Sequence, residues 1–368
     1  MILKKSTRQI NTADAAAATS PALAVVPSVL EAQTANDRVS PGRNGFSGQT
    51  GEARFHTFQL ISVLIPAVYR RAAASPNPRP AASMIPVIIG CTQAGSNTCT
   101  TEWALVDGAT VVEHAFTKGL NPFFHTRRDI SHSIRLELPE AFFKRRWERI
   151  HFYGAGCTSP EKKKIVEASL VAQFKTPVTV ESDLLGAARG LLINEAGIAC
   201  ILGSGSNSCY YDGRAIVKNV RSLGYILGDE GSAAYIGKRF LSDCLKDIAP
   251  AQLVNDFFEY INLSPDEIMS AIYDHSLPSN TLSVYSRFLM DKLDQDYVYR
   301  LVRHAIDAFF RRNVLQYDYE GKTVCFVGSN ACAYSGVLTE VADSYNIKIK
   351  KIAPSSMPGL VKYHSTDR

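Results

Sequence analysis

The chain has 368 residues, 46% apolar and 20% charged, a balance that excludes a disordered or fibrous protein and is long enough for two domains of ordinary size. Its formal charge of +5 sits in residues 1–83, which hold nine Lys/Arg against four Asp/Glu; the rest is neutral, with thirty-one of each. A folded part without net charge argues against nucleic acid as the main partner.

Residues 1–83 also carry sixteen alanines, seven of the seventeen prolines and no cysteine. No period of 3.6 or 2 persists there, so a disordered or non-domain extension is expected, with Met84 opening the domain. The apolar patch from Phe58 to Tyr69 is broken by Pro66 and too short to cross a bilayer, so no membrane partner is expected. Asp14, Glu31, Asp37 and Glu52 count against a transit peptide.

Met84 to Ile89 predicts a strand, Glu102 to Val106 a second closed by an Asp107-Gly108 hairpin turn, and Val111 to Thr117 a third. Ile130, Ile134, Leu138 and Phe142 stand at helical spacing and predict a helix over 129–143. Arg149 to Tyr153 reads as a strand ending in Gly154-Ala155-Gly156-Cys157, and Pro160 to Phe174 as a helix opened by Ser-Pro-Glu. A strand at 178–180 leads to Ser182-Asp183, the cap of a helix through Leu192. The rhythm then repeats, with strands at 197–202, 208–212 and 215–219 and helices at 233–246, 251–260, 264–274, 279–292 and 295–315. A strand at 323–327, a helix at 334–345, a strand at 347–352 and a helix from Met357 complete it. Two successive units of three strands, helix, strand, helix, strand imply a duplicated α/β architecture with a cleft between the halves.

None of the eight cysteines forms a C-x-x-C pair, so neither zinc nor an iron–sulfur cluster is supported, and a reduced cytoplasmic compartment fits. Chemistry concentrates instead in two glycine-bracketed strings. Gly203-Ser204-Gly205-Ser206-Asn207 follows an apolar run and reads as strand, tight turn, strand; its glycines let backbone N–H groups turn inward toward a phosphate. Gly228-Asp229-Glu230-Gly231-Ser232 follows the apolar run 223–227 and sets two carboxylates at a helix start. Taken singly, such a glycine turn is also an ordinary hairpin, and Asp183 also a plain helix cap.

Several long strings resemble the sugar-kinase, hexokinase, Hsp70 and actin superfamily. Within it they are similar to the BadF/BadG/BcrA/BcrD-type ATPase group and its N-acetylglucosamine-kinase-like members. The strings are residues 203–213, 223–232, Ser182 to Gly190, Thr117 to Phe124, Phe326 to Asn330 and Gly359 to His364. The resemblance implies two ribonuclease-H-like domains, 84–190 and 191–368, with an ATP cleft between them and the last helix packing back on the first. It implies ATP and Mg²⁺, a small sugar as the other partner, and Asp183 as general base; a homodimer is compatible with it. By the same resemblance Gly203, Ser204, Gly205 and Ser206 hold phosphate, and Gly328 and Ser329 pack on adenosine. Asn121, Asn207, Asp229 and Glu230 match sugar-contacting positions.

The first phosphate turn departs from that pattern. Where the family carries Asp-x-Gly-x-Thr-x-Thr, residues 84–101 contain no acid; the Asp position falls on Gly95 and its glycine on Asn97. Thr98 and Thr100 remain as hydroxyl donors, and Glu102 beside the strand tryptophan is a poor substitute for the metal-facing carboxylate. Asn330 is bulkier than its surroundings suggest. Two functions follow: an ATP-dependent amino-sugar kinase, or an impaired relative that binds sugar or nucleotide as a sensor. A dehydratase activator is disfavoured, since no cysteine pattern suits a cluster.

Overall fold

The computed structural model describes residues 87–94, 99–144, 146–273 and 278–366. Residues 1–83, Gly95, Asn97 and Thr98, for which the sequence carries expectations, lie outside them.

Segments of four to nine residues form two five-stranded mixed sheets. The first contains β1 (Val87–Ala94), β2 (Cys99–Asp107), β3 (Thr110–Lys118), β4 (Ile150–Gly154) and β5 (Val178–Ser182), in spatial order β3-β2-β1-β4-β5. β1, β2 and β3 pair antiparallel, whereas β4 joins β1 in parallel and β5 joins β4 in parallel. The second contains β6 (Gly197–Leu202), β7 (Ser206–Tyr211), β8 (Ile216–Val220), β9 (Val324–Val327) and β10 (Ile349–Ala353). Its order, β10-β9-β6-β7-β8, with the same antiparallel triplet and parallel pair, repeats the first topology. This is the duplicated two-domain α/β fold expected from the sequence.

Helices α1 (Arg127–Glu137) and α2 (Pro160–Phe174) cover one face of the first sheet through Ile130, Ile134, Val166 and Leu170, which pack with Trp103, Phe152 and Ile150. The helix expected over 129–143 stops at Glu137, and residues 140–143 form a separate 3-10 turn. Pro139 is the cause, since it has no N–H to continue the ladder. In the second half α4 (Gly224–Leu227) precedes a helical layer of α5 (Ala233–Leu245), α6 (Ala251–Ile261), α7 (Pro265–Tyr273), α8 (Pro278–Ser286) and α9 (Asp296–Arg312). These helices bury Phe240, Phe257, Phe309 and Phe310 in a common core with Phe326 of β9. The short α10 (Ser329–Ala333) and then α11 (Ser335–Ser344) follow β9.

The remaining helices, α3 (Asp183–Leu192) and α12 (Met357–Thr366), cross between the sheets. α3 leaves the first sheet yet buries Leu184, Ala188 and Leu191 against Ala199, Cys209 and Tyr211 of the second. α12 leaves the second sheet yet buries Met357, Leu360 and Val361 against Val87, Ile89 and Ala104 of the first. A Cβ on Gly359 would lie 1.7 Å from the Gly190 carbonyl oxygen, so the backbones touch at the crossing. The start of α12 is further tied to the first sheet by Ser355 Oγ, which donates to Glu102 Oε2 at 2.5 Å; His114 Nε2 stands 2.7 Å from Glu102 Oε1. No described helix is long and apolar enough to cross a membrane.

Candidate active site

The candidate residues gather where the parallel strands of each sheet end, the edge at which open α/β folds carry their ligands. In the first lobe Gly154 of β4 and Ser182 of β5 are in register, so both strands end side by side. Ser182 caps α3 by accepting from the Leu185 N–H, which makes Asp183 the first helical residue. Asp183 Oδ1 accepts from the Leu184 N–H at 2.9 Å, and burial pushes its carboxyl up from 3.8 to about 6. That puts an acceptor of protons near neutral pH at the lobe's edge.

The neighbouring turn, Gly154 to Cys157, supports Asn121 from the loop after β3. Gly156 has φ +80, and a Cβ there would stand 2.3 Å from Asn121 Oδ1, so a side chain would displace that amide. Asn121 Oδ1 accepts from the Phe123 N–H at 2.9 Å, which fixes the loop. Burial pushes the Cys157 thiol up to about 12, and the Asp183 carboxylate adds to it, so thiol and carboxylate are neighbours. Asn121 and Asp183 therefore share one corner. Thr100, in contrast, sits within β2, paired with Gln93 and Lys118.

In the second lobe the glycine strings converge. Residues 203–205 form the turn between β6 and β7 and close it with Gly203 N–H donating to Gly205 O at 2.9 Å. The turn rests on the start of α5: Ala233 N–H donates to Gly203 O and Ala234 N–H to Ser204 O. Asp229 Oδ1 accepts from the Ser206 N–H at 3.2 Å, joining the acidic loop to the same turn. Asp229 holds the left-handed conformation (φ 55), uncommon for a non-glycine residue and tolerated by Asp. Burial pushes its carboxyl up to about 6, partly offset by the Ser206 N–H. Glu230 is buried and lies 3.5 Å from Arg312 Nε. Gly328 (φ 129) ends β9 against this turn, where a Cβ would meet Leu202 O at 2.2 Å. Ser329 and Asn330 then open α10.

Asn207 is engaged elsewhere: its Oδ1 accepts from Ser208 N–H at 2.9 Å and from Asn219 Nδ2 of β8 at 3.0 Å. Sequence reasoning treats Asn330 only as a bulky departure and misses Gly156, Cys157 and Arg312. The Gly-x-Gly ending at Gly156 is the one local signal for that corner; Arg312 gives none. The apolar run 223–227 forms α4 at the surface, with Leu223, Ile226 and Leu227 59, 69 and 72% exposed.

The second-lobe turns fit a nucleotide triphosphate. Among the described residues, the Ser204 and Gly205 N–H groups have no intramolecular partner, and two adjacent free amides suit a phosphate. Ser329 Oγ is buried without a hydrogen-bond partner at the turn matched to adenosine. For a resident metal the fit is poor, because no group of three His, Cys, Asp or Glu side chains is assembled among the described residues.

The chain is similar to the crystal structure of a candidate N-acetylglucosamine kinase from Porphyromonas gingivalis, at 36% identity and TM-score 0.72, over 76% of this chain and 99% of that one. A second candidate N-acetylglucosamine kinase, from Chromobacterium violaceum, shares the fold at 16% identity and TM-score 0.61, over 77% of this chain and 99% of that one. No family model matches the chain, and no curated protein matches it.

Proposed function

The chain belongs to the family of the Porphyromonas gingivalis candidate N-acetylglucosamine kinase, and from that premise we propose that it is an ATP-dependent kinase of an amino sugar, with N-acetylglucosamine as substrate. The observation that carries this reading is the pairing of Asp183 at the first lobe's strand ends with the free-amide turn at the second lobe's. ATP, with Mg²⁺, supplies the phosphoryl group.

Asp183 accepts the proton of the acceptor hydroxyl as the oxygen–phosphorus bond forms and the bond to the leaving ADP oxygen breaks. A carboxyl raised to about 6 is ionised at neutral pH yet basic enough to take that proton. Ser204 and Gly205 N–H groups orient phosphate oxygens without moving charge, and Gly328, by lacking a Cβ, lets its turn pack against Leu202 and Gly203 beside them. Asn121 on one lobe, and Asp229 and Glu230 on the other, supply acceptors for sugar hydroxyls. Asn207 acts behind them, holding β7 to β8 through Asn219.

One observation favours a second reading, a binding protein with impaired turnover: the stretch 84–101 lacks the acid expected to face magnesium. ADP release from ATP, Mg²⁺ and N-acetylglucosamine, against a no-sugar control and other hexoses, separates the two. Sugar-dependent ADP supports the kinase. Sugar or ATP binding by calorimetry without ADP above control supports the sensor.

A further inference from the structure

The residue that departs from its motif, Asn330, has a specific task. It is 2% exposed, in the first turn of α10, immediately after the Gly328-Ser329 turn. Its Nδ2 donates to the carbonyl of Gly231 at 2.7 Å across 99 residues of chain. Gly231 lies between Glu230 and Ser232, inside the acidic loop. The Asn330 Oδ1 is buried with no partner. An amide bonded at one end fixes its own orientation: rotated, it would set oxygen against the Gly231 oxygen.

Three segments meet here, and their joints differ. The phosphate turn is tied to the acidic loop by Asp229 to Ser206, and to the start of α5, which continues that loop, by Ala233 to Gly203 and Ala234 to Ser204. The Gly328 turn touches the phosphate turn through backbone packing at Leu202 and Gly203. Between the Gly328-Ser329-Asn330 segment and the acidic loop, the Asn330–Gly231 bond is the one hydrogen bond among the described residues. That side chain is therefore the direct hydrogen-bonded route from α10 to the acidic loop, beside the indirect one through packing on the phosphate turn. Gly231 adjoins Glu230, so a shift of the Gly231 carbonyl falls one residue from that carboxylate.

We propose that Asn330 is a positioning residue that couples nucleotide at the Gly328-Ser329 turn to sugar at the Asp229-Glu230 loop, so that each ligand strengthens the binding of the other. This rests on the kinase reading above. Coupling of this kind is reciprocal: whatever factor the nucleotide contributes to sugar affinity, sugar contributes to nucleotide affinity.

The experiment is calorimetry on the full chain with N-acetylglucosamine, with and without saturating AMPPNP and Mg²⁺, repeated in Asn330→Ala and Asn330→Asp. Asp keeps the shape and loses the donor; Ala serves should the buried carboxylate prevent folding. In the unsubstituted chain AMPPNP should tighten sugar binding by about tenfold or more. In either variant that factor should fall to within about twofold, while sugar affinity without nucleotide stays unchanged. A merely structural residue would instead weaken the single-ligand affinities, and that result overturns the proposal. So does coupling retained in both variants, or its absence from the unsubstituted chain when each ligand still binds. If the unsubstituted chain binds neither ligand, the kinase reading itself fails and the proposal goes with it.

Discussion

Replacing Asp183 by asparagine should cut turnover by orders of magnitude and at the same time stabilise the protein. The carboxyl is raised from 3.8 to about 6 by burial, so the ionised form is less welcome in the folded state than in the unfolded one. Two pK units correspond to about 3 kcal/mol at most, and the partial solvent contact of Asp183 reduces this to roughly 1.5 kcal/mol. The sign follows from proton binding. Below about pH 4 both states are protonated and there is no penalty. Between about 4 and 6 the folded state holds more protons, so stability falls as pH rises, and above about 6 the penalty is complete. The substituted amide would be neutral throughout, and its oxygen would still accept from the Leu184 N–H, the bond that Asp183 makes at 2.9 Å. The melting temperature of the variant should therefore exceed that of the unsubstituted protein by about 3–6 °C at pH 8, and match it near pH 4. Turnover should fall by about 10²–10⁴ while sugar binding stays nearly intact. Calorimetric melts across pH with the ADP-release assay read both quantities. Equal turnover in the variant would remove Asp183 as base; a melting difference independent of pH would refute the buried-charge account.

Gly328→Ala should destabilise by about 4 kcal/mol or more, since φ is +129 and the added Cβ would meet Leu202 O at 2.2 Å; an unchanged urea midpoint would refute it. Gly359→Ala should separate α12 from α3 and cost about 3 kcal/mol, read as earlier urea unfolding together with faster proteolysis near the C-terminus. Gly95→Asp should raise sugar-dependent ADP release if the missing carboxylate limits the rate; no gain would mean that the charge is not limiting.

Much of the fold was legible because its determinants are local. Apolar runs such as 198–202 and 324–327 set strands, Ser159-Pro160 and Ser182 set helix starts, and the doubled order of elements set the architecture. Boundaries slipped where a single residue outweighs periodicity, as Pro139 does by ending α1 early. The resemblance implies that residues 203–206, 229–230 and 328–329 share one cleft, but the bonds that join these segments were not visible, because they span 23 to 99 residues. Likewise Asn207 matches a sugar-contacting position in the sequence, whereas its bond to Asn219 depends on β8 lying alongside β7. Asn330 shows the limit most clearly: its size reads as an error in the motif, and only the position of the Gly231 carbonyl gives it a reason.

The placement of Asp183 also links turnover to the helix crossing. It opens α3, and Gly190, seven residues on, meets Gly359 of α12. Each helix buries its apolar face against the sheet of the opposite lobe, so a relative rotation of the lobes would pivot close to that contact. At 1.5 Å per residue the Asp183 end lies about 10 Å from the pivot, and a rotation of about 10° carries it roughly 2 Å. A misplacement of about 1 Å at a reacting centre is enough to cost about 10²-fold in rate. If Asp183 is the base, as proposed, the backbone contact at Gly190 and Gly359, far from any proposed ligand, would set the arc through which it approaches the hydroxyl. Side chains added there should lower the turnover number more than they weaken the binding of either ligand.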